Sequence, residues 1–207
     1  MKKKQLIKTF SKLYPNPRSE LVFKNNYQLL VCVMLSAQCT DKKVNQVTPE
    51  LFSRYPDFNS LARARQKTLE RIVRPINYYR TKAANLIKTA KIIVKEHKGR
   101  VPREAKSLTA LPGVGNKTAA VVLNEMGVEP TFPVDTHVFR VSKRLGLASG
   151  KTTDQVSEEL KKAFSPKDWR NLHHWLILHG RRVCKARNPL CSECSLKRLC
   201  RHYESTH

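Results

Sequence analysis

Four cysteines near the C-terminus constrain this chain more than any other feature. Cys184, Cys191, Cys194 and Cys200 follow the spacing C-x6-C-x2-C-x5-C, and the stretch around them is basic and poor in apolar side chains. Such a loop cannot be stabilised by a hydrophobic core, so it must be stabilised by another kind of interaction, such as cross-linking. Four thiolates converging on one centre are the ligand set of a [4Fe–4S] cluster or of a structural zinc ion.

The uneven spacing favours iron–sulfur over zinc. Zinc sites usually pair two Cys-x2-Cys hooks across a longer spacer, whereas here one hook stands between gaps of six and five residues. Disulfides are the alternative and would need an oxidising compartment. Nothing at the N-terminus indicates export, because Lys8 and Lys12 interrupt the apolar positions as in an amphipathic helix. We therefore expect a cytosolic protein with reduced thiols.

The charge balance predicts a polyanionic partner. The 207 residues include 40 Lys plus Arg against 16 Asp plus Glu, a formal net charge of +24. That much like charge repels itself in a compact fold and is typical of proteins that bind nucleic acid; a generally basic, solvated surface is the alternative. The longest apolar run, residues 29–35, is too short to cross a bilayer, so no membrane partner is expected.

Hydrophobic periodicity is helical nearly throughout, with no alternating run of strand length. We predict an all-α fold with helices at residues 2–13, 27–38, 42–55, 67–73, 79–97, 103–109, 116–126, 136–145, 153–163 and 168–179. Asp41 is expected to cap the third helix and Thr152 or Thr153 the ninth. Segment 127–133 is the best internal boundary, and the N-terminal helix could pack on the C-terminal block in a discontinuous domain.

A glycine-rich turn joins two of the predicted helices. Residues 111–115 read Leu-Pro-Gly-Val-Gly. Gly113 and Gly115 allow a tight turn and expose backbone N–H groups around Val114, next to the positive end of the following helix dipole. Together with Leu111 they predict a phosphate site built from main chain, which would position DNA without reading its sequence. The alternative is an ordinary corner between two helices.

Lys117 and Asp135 lie at the starts of two predicted helices. The dipole opposes a cation at Lys117, and with partial burial the neutral amine would be favoured, a nucleophile able to form a Schiff base. Asp135 is expected to be an N-cap, which fixes an ionised carboxylate that could stabilise positive charge on a sugar ring. A phosphate-contacting lysine and a purely structural cap are the alternatives.

Four motifs in order resemble the endonuclease III family, the helix–hairpin–helix DNA glycosylases and abasic-site lyases of bacteria. They are Leu-Ser-Ala-Gln-Cys-Thr-Asp at 35–41, Leu-Pro-Gly-Val-Gly-Asn-Lys-Thr-Ala at 111–119, Val-Asp-Thr-His-Val-Phe-Arg at 134–140 and His-His-Trp-Leu-Ile-Leu-His-Gly-Arg at 173–181, followed by the cysteine spacing. The resemblance runs from about residue 6 to 203.

The resemblance implies two all-α domains with DNA in the cleft between them. A six-helix barrel would span residues 19–129, with the helix–hairpin–helix at about 103–126. Residues 1–18 and 130–207 would form an iron–sulfur cluster domain, with the cluster loop at 184–200. The implied partner is duplex DNA with a damaged base or an abasic site, bound by a monomer.

The resemblance also implies a role for each matching residue. Lys117 would be the nucleophile and Asp135 the catalytic carboxylate, and the four cysteines would ligate a [4Fe–4S] cluster. Gln38 looks like the residue that enters the gap left by a flipped nucleotide. Tyr78 would replace the aliphatic wedge that the family often has, and Cys39 stands where alanine is common. The remaining expected DNA contacts are the turn residues together with His137, Lys185 and Arg187.

The implied reaction is removal of an oxidised pyrimidine followed by strand cleavage on the 3′ side of the abasic site through a lysine Schiff base. An adenine-mismatch glycosylase is the nearest rival, but such enzymes lack the lysine at 117 and carry a further C-terminal domain, which we do not expect after His207. A non-catalytic DNA-binding module and an electron-transfer protein are rivals of other classes. We expect His173, His174 and His179 to pack or form structural hydrogen bonds.

Overall fold

Helix is the only regular secondary structure in the residues that the computed structural model describes, 2–128 and 131–206. The described helices are α1 (Lys2–Leu13), α2 (Asn26–Ser36), α3 (Asp41–Arg54), α4 (Phe58–Ala62), α5 (Gln66–Ile72), α6 (Tyr79–Glu96), α7 (Ala105–Thr109), α8 (Asn116–Met126), α9 (Thr136–Leu145), α10 (Thr153–Ala163), α11 (Pro166–Arg182) and α12 (Arg201–Thr206), with a 3₁₀ turn at Lys197–Leu199. The all-α prediction is confirmed.

The chain divides into two compact units. One unit is Ser19–Glu129, and the other combines Met1–Arg18 with Pro130–His207. Each unit has its own hydrophobic core. None of the helices in the described ranges has the length and apolar composition that crossing a lipid bilayer requires.

Helix α2 lies at the centre of the Ser19–Glu129 unit. It is apolar on nearly all sides, and every residue from Tyr27 to Leu35 except Gln28 is buried. A helix that is apolar all round must be covered all round, and α2 packs against α3, α6 and α8. Truncation of a fully buried side chain such as Leu30 to alanine would cost about 2–5 kcal/mol of stability.

Two expectations about this unit are wrong in detail. Thr40, not Asp41, caps α3: its side chain accepts a hydrogen bond from the Lys43 backbone N–H. Helix α2 ends at Ser36, two residues before the predicted end, because the chain leaves the helix at Ala37 and Gln38 adopts a positive φ of 53°. The short α4 was not predicted.

The second unit is built on α9 and α11, which pack against each other. Helix α1 packs against α11 with one apolar face: Leu6 and Phe10 are buried while its lysines face solvent. The Phe10 ring stacks on Trp175 with centroids 5.8 Å apart, and Trp175 Nε1 donates to the Tyr14 carbonyl over 3.0 Å. Thr152 caps α10 with a reciprocal Gln155 bond, as predicted for one of the two threonines.

Candidate functional site

The glycine turn between α7 and α8 is anchored by two buried apolar side chains. Leu111 and Val114 are buried, and the Val114 N–H donates to the Leu111 carbonyl over 3.1 Å. Gly113 has a φ of +79°, and a Cβ there would lie 2.8 Å from the Nδ2 atom of Asn85. The turn therefore requires glycine at 113 both for its backbone conformation and for its close approach to α6.

Gly115 differs from Gly113 because the fold does not require it. Its φ is −89°, and nothing lies within 4 Å of the position where its Cβ would be. As the N-cap of α8 it has no side-chain oxygen to offer to the N–H groups of the first turn. The turn thus presents backbone donors at a positive helix end with open space in front of them, which is the geometry of a phosphate site.

Lys117 is the second residue of α8 and its side chain is exposed. The partial burial expected from the sequence is wrong. The amine stands one residue beyond Asn116, at the same helix start as the glycine turn. An anion bound to that turn would therefore lie close to the base of the Lys117 side chain.

Asp135 is the N-cap of α9, and this sequence prediction is confirmed. Its Oδ1 atom accepts a hydrogen bond of 2.7 Å from the Val138 N–H. The chain before it is fixed as well, because the Phe132 carbonyl accepts from Ser157 Oγ over 2.8 Å and the Pro133 carbonyl lies 2.9 Å from His173 Nδ1. The carboxylate is therefore half-buried and held at a fixed angle.

His137 lies in the first turn of α9 and is half-buried. Its Nδ1 atom lies 3.2 Å from Arg140 Nη2, and because arginine can only donate, Nδ1 is the acceptor. Burial is the main cause that lowers the pKa of His137; the charges of Arg140 and Arg181 lower it further, while the charge of Asp135 opposes them. The neutral ring is therefore favoured in the folded chain.

The four loop cysteines are free, half-buried and line one pocket. Burial raises the pKa of the Cys194 thiol, and the neighbouring charges of Cys200, Cys184 and Cys191 raise it too. Four thiolates this close repel one another unless a cationic centre lies between them. The donor set therefore fits a metal centre.

The arrangement also bears on which metal centre fits. Across residues 2–128 and 131–206, no three His, Cys, Asp or Glu side chains are placed to hold a single ion. A structural zinc with bonds of about 2.3 Å would need all four sulfurs within about 4 Å of each other. A [4Fe–4S] cluster needs the thiolates further apart because each one binds a different iron atom. All four thiols line one pocket, so they can act together as the ligands of one centre.

Two arginines of α9 support the cluster loop, and sequence reasoning missed both. Arg144 Nη1 lies 3.4 Å from the Cys184 Sγ atom and donates to the Lys185 carbonyl over 2.7 Å. Arg140 donates to the carbonyls of Cys184 and Gly180. The i, i+4 spacing of two arginines on one helix face is the only sequence signal that could have found them.

His179 contacts the same loop from α11. Its Nε2 atom lies 3.5 Å from the Cys194 Sγ atom, and its Nδ1 atom lies 3.3 Å from the Tyr14 hydroxyl. Burial lowers the pKa of His179 to about 4. His173 and His174 are buried in α11 too, so all three histidines pack as expected. Lys185 and Arg187 are exposed on the loop, where their charges are accessible to a partner.

Gln38 and Tyr78 form the third candidate region, in the Ser19–Glu129 unit. Both are exposed and both have a left-handed backbone, with φ of 53° and 58°. The turn after α2 that carries Gln38 is bonded to the start of α6 that carries Tyr78, because Asn77 Nδ2 donates to the Gln38 carbonyl over 2.7 Å. These two predicted contact residues are therefore neighbours, although 40 positions separate them in the chain.

Comparisons with known proteins place this chain among DNA repair proteins. Residues 31–166 match the family model of HhH-GPD superfamily base excision DNA repair proteins, and residues 184–200 match the iron–sulfur binding domain of endonuclease III. The second match confirms the prediction of a [4Fe–4S] cluster. Endonuclease III of Rickettsia felis is 45% identical over 201 residues, covering 97% of this chain and 94% of that protein.

Two solved structures of endonuclease III also superpose on the whole chain. A trapped endonuclease III–DNA covalent intermediate matches with a TM-score of 0.91 and 39% identity, covering 99% of this chain and 98% of that one. A non-covalent endonuclease III–DNA complex matches with a TM-score of 0.91 and 40% identity, covering 99% and 97%.

Proposed function

The chain belongs to the endonuclease III family within the HhH-GPD superfamily of base excision DNA repair enzymes, and from that premise we propose that it removes oxidised pyrimidines from duplex DNA and cuts the strand 3′ to the resulting abasic site. The observation that carries this proposal is an exposed amine, Lys117, in the first turn of a helix whose N-cap, Gly115, makes no side-chain hydrogen bond to that turn. We propose further that the protein acts as a monomer.

DNA capture is the first step. The net charge of +24 attracts the duplex, and the N–H groups of the turn at Gly113–Gly115 bind a backbone phosphate. Because these contacts are made by main chain to phosphate, they hold any sequence equally. The damaged nucleotide is then extruded, at a cost that is lower when the lesion is poorly stacked.

Base removal follows. The amine of Lys117, once it has given up its proton to a base, attacks the sugar C1′; a C1′–N bond forms, and the bond to the base breaks with its electron pair leaving on the base. Asp135 stabilises the positive charge that develops on the sugar and assists the transfer of protons. Its hydrogen bond to the Val138 N–H keeps the carboxylate oriented during this step.

Strand cleavage uses the covalent intermediate. The sugar ring opens to a Schiff base between Lys117 and C1′, which acidifies the C2′ proton. Loss of that proton and departure of the 3′ phosphate form a C2′–C3′ double bond, and hydrolysis of the Schiff base releases the amine. The step is an elimination, so it needs neither an oxidant nor a reductant.

We propose that Cys184, Cys191, Cys194 and Cys200 would hold the [4Fe–4S] cluster, which would cross-link the loop at four points. The unit that holds these cysteines is proposed to be the cluster domain, and Ser19–Glu129 the six-helix barrel domain. The exposed loop residues Lys185 and Arg187 then present their cations to the DNA backbone.

Borohydride trapping tests the proposal. Reduction of the Schiff base on abasic duplex DNA is expected to yield a covalent protein–DNA adduct with the wild-type chain and none with Lys117→Ala. Lys91→Ala, which removes an exposed lysine of α6, is the matched control and should trap like the wild type. Equal trapping by Lys117→Ala would remove Lys117 from the mechanism.

A lesion panel tests the substrate class. Duplexes carrying thymine glycol, dihydrouracil, 8-oxoguanine and uracil are compared under single-turnover conditions. We expect cleavage of the first two to be fastest. Faster cleavage of 8-oxoguanine or uracil would contradict the oxidised-pyrimidine assignment without affecting the lyase assignment.

A further inference from the structure

Gln38 and Tyr78 have backbone conformations that cost free energy. In the part of the chain that the structure describes, only four non-glycine residues have a positive φ, and these are two of them. A residue with a side chain is sterically disfavoured in the left-handed region, because its Cβ lies too close to the following carbonyl oxygen. Tyr78 is also 68% exposed, so packing of its ring does not offset that cost. Other contacts must hold the two residues in place.

Lys82 supplies those contacts. Its side-chain Nζ atom donates to the Leu35 carbonyl over 2.7 Å and to the Ala37 carbonyl over 2.6 Å. These carbonyls flank the end of α2, immediately before Gln38. The backbone N–H of the same residue donates to the Tyr78 carbonyl over 3.0 Å, which is the first helical bond of α6. One residue is therefore bonded to the turn that carries Gln38 and to Tyr78 itself.

Asn77 closes the arrangement from the other side of Tyr78. Its Nδ2 atom donates to the Gln38 carbonyl. Side chains at and just before the start of α6 thus bond to three carbonyls at the end of α2 and in the turn after it, those of Leu35, Ala37 and Gln38. Neither Lys82 nor Asn77 is needed to build the core, because Lys82 is half-buried and Asn77 is exposed.

The position of Lys82 carries a desolvation cost that its hydrogen bonds must offset. Burial lowers the pKa of its amine, while the charge of the nearby Cys39 opposes that shift. The ammonium is stabilised where it lies because the carbonyl end of a helix carries partial negative charge. A lysine on the solvent side of α6, unlike Lys82, would stay hydrated and would have no desolvation cost.

We propose that Lys82, with Asn77, is a positioning residue that holds Gln38 and Tyr78 at a fixed spacing so that both enter the duplex together at an extruded nucleotide. The inference rests on the proposed function, in which Gln38 fills the gap and Tyr78 acts as the wedge. Ordering the pair in advance removes the cost of ordering it when DNA binds. A flexible pair would leave the opened duplex unsupported.

Lys82→Met in the full-length, cluster-loaded protein is the test. Methionine matches the length of the lysine side chain and removes its three donors. On a duplex with a fully paired oxidised pyrimidine, we expect single-turnover cleavage to fall on the order of 10- to 100-fold. On the same lesion placed in a bulge, where extrusion costs less, the fall should be clearly smaller. Asn77→Ala should show the same pattern to a lesser degree, and Lys91→Met is the matched control.

A double-mutant cycle separates positioning from a general structural effect. If Lys82 acts through the pair, Lys82→Met added to the Gln38→Ala/Tyr78→Ala double variant should change the rate by no more than about twofold. The inference would be overturned if Lys82→Met lowered the cleavage rate equally on paired and bulged lesions. It would also be overturned if Lys82→Met lowered the rate of the Gln38→Ala/Tyr78→Ala variant as much as it lowers that of the wild type. A wild-type rate for Lys82→Met would overturn it as well.

The outcome is distinguishable from failure of the proposed function. A wild-type chain that cuts neither abasic nor lesion-containing DNA refutes the function. A wild-type chain that cuts both while Lys82→Met matches Lys91→Met on paired lesions refutes only the role of Lys82. Binding of undamaged duplex, which depends on phosphate contacts, is expected to be equal in Lys82→Met and Lys91→Met.

Discussion

A carboxylate that caps a helix is fixed in direction, so Asp135 can combine its structural role with the chemical role proposed for it. The hydrogen bond from the Val138 N–H orients the carboxylate, and its charge raises the pKa of the neighbouring His137 ring. The two groups are therefore electrostatically linked within one turn of α9.

The titration of His137 should report that link. In the folded chain its pKa is expected below 6.5, and Asp135→Asn should lower the pKa further because the carboxylate charge raises it, as does a backbone hydrogen bond with Gly180 that the substitution leaves in place. Replacing Arg140 by glutamine should have the opposite effect, since that charge lowers the pKa. Two-dimensional NMR of the ring protons measures all three midpoints, and an upward shift in Asp135→Asn would contradict the arrangement.

The lowered pKa of His137 also determines how this residue makes the stability of the fold depend on pH. Because its folded pKa lies below the unfolded value, the unfolded chain binds the proton more readily. The contribution is present in full above about pH 6.5 and is lost as the pH falls through the folded pKa.

At this scale the sequence predicts residues whose chemistry has a local signature and misses those that act through the fold. The cysteine spacing and the N-cap position of Asp135 can be read from neighbouring residues. The contacts of Lys82 cannot, because the carbonyls it binds lie 45 and 47 positions away. A lysine in the first turns of a helix, where the dipole disfavours it, is the one hint that the sequence offers.

At the scale of elements, the two glycines of the hairpin turn should separate stability from DNA binding. Gly113→Ala forces a left-handed alanine, at roughly 1–2 kcal/mol, and places a methyl group against Asn85. The free energy of unfolding should therefore fall. Gly115→Ala meets no neighbour, so the free energy of unfolding should change by no more than about 1 kcal/mol.

Gly115→Ala should weaken DNA binding although it hardly changes the free energy of unfolding. Its methyl group would occupy the open space in front of the backbone donors, and loss of a hydrogen bond to a charged group corresponds to about tenfold or more in affinity. Denaturant titration and binding of abasic duplex measure the two quantities. A Gly115→Ala chain that unfolds early while binding DNA normally would contradict this division.

Long elements were predictable and short ones were not. The helices from α8 to α10 begin and end where the periodicity places them, because each spans about three turns and has a clear stop signal. The five residues of α4 are too few to show a period; the Asp57–Ser60 capping box forms them instead. Helix α12 follows the cysteine loop and has no buried residue to create a pattern.

On the scale of the whole molecule, we expect the cysteine loop of one unit to depend on the cofactor and the other unit to be independent of it. Most of the cysteine loop is irregular, and Leu196 is its only buried residue between Cys184 and Cys200, both of which lie in the described range. The Ser19–Glu129 unit has an extensive apolar core of its own. Loss of the cluster should therefore affect the two units unequally.

Cys194→Ser tests this difference. Iron content should fall, and backbone amides at residues 184–206 should lose protection from hydrogen exchange, while those of α2, α6 and α8 keep theirs. Cys39→Ser, which changes a half-buried thiol outside the loop, is the matched control and should retain its iron. Uniform loss of protection across both units would show that the cluster supports the entire fold.

The turn at Gly113–Gly115 has a consequence for how lesions are located. A grip made by peptide N–H groups is equally good on every stretch of the genome, so it cannot tell the enzyme where to stop. Under the proposed function, selection would come from the weaker stacking of the damaged base, which would let Gln38 and Tyr78 enter the duplex there and not at undamaged pairs. Such a protein would locate damage by how easily a base pair opens. We therefore expect its off-target base removal to occur at the most easily deformed undamaged base-pair steps.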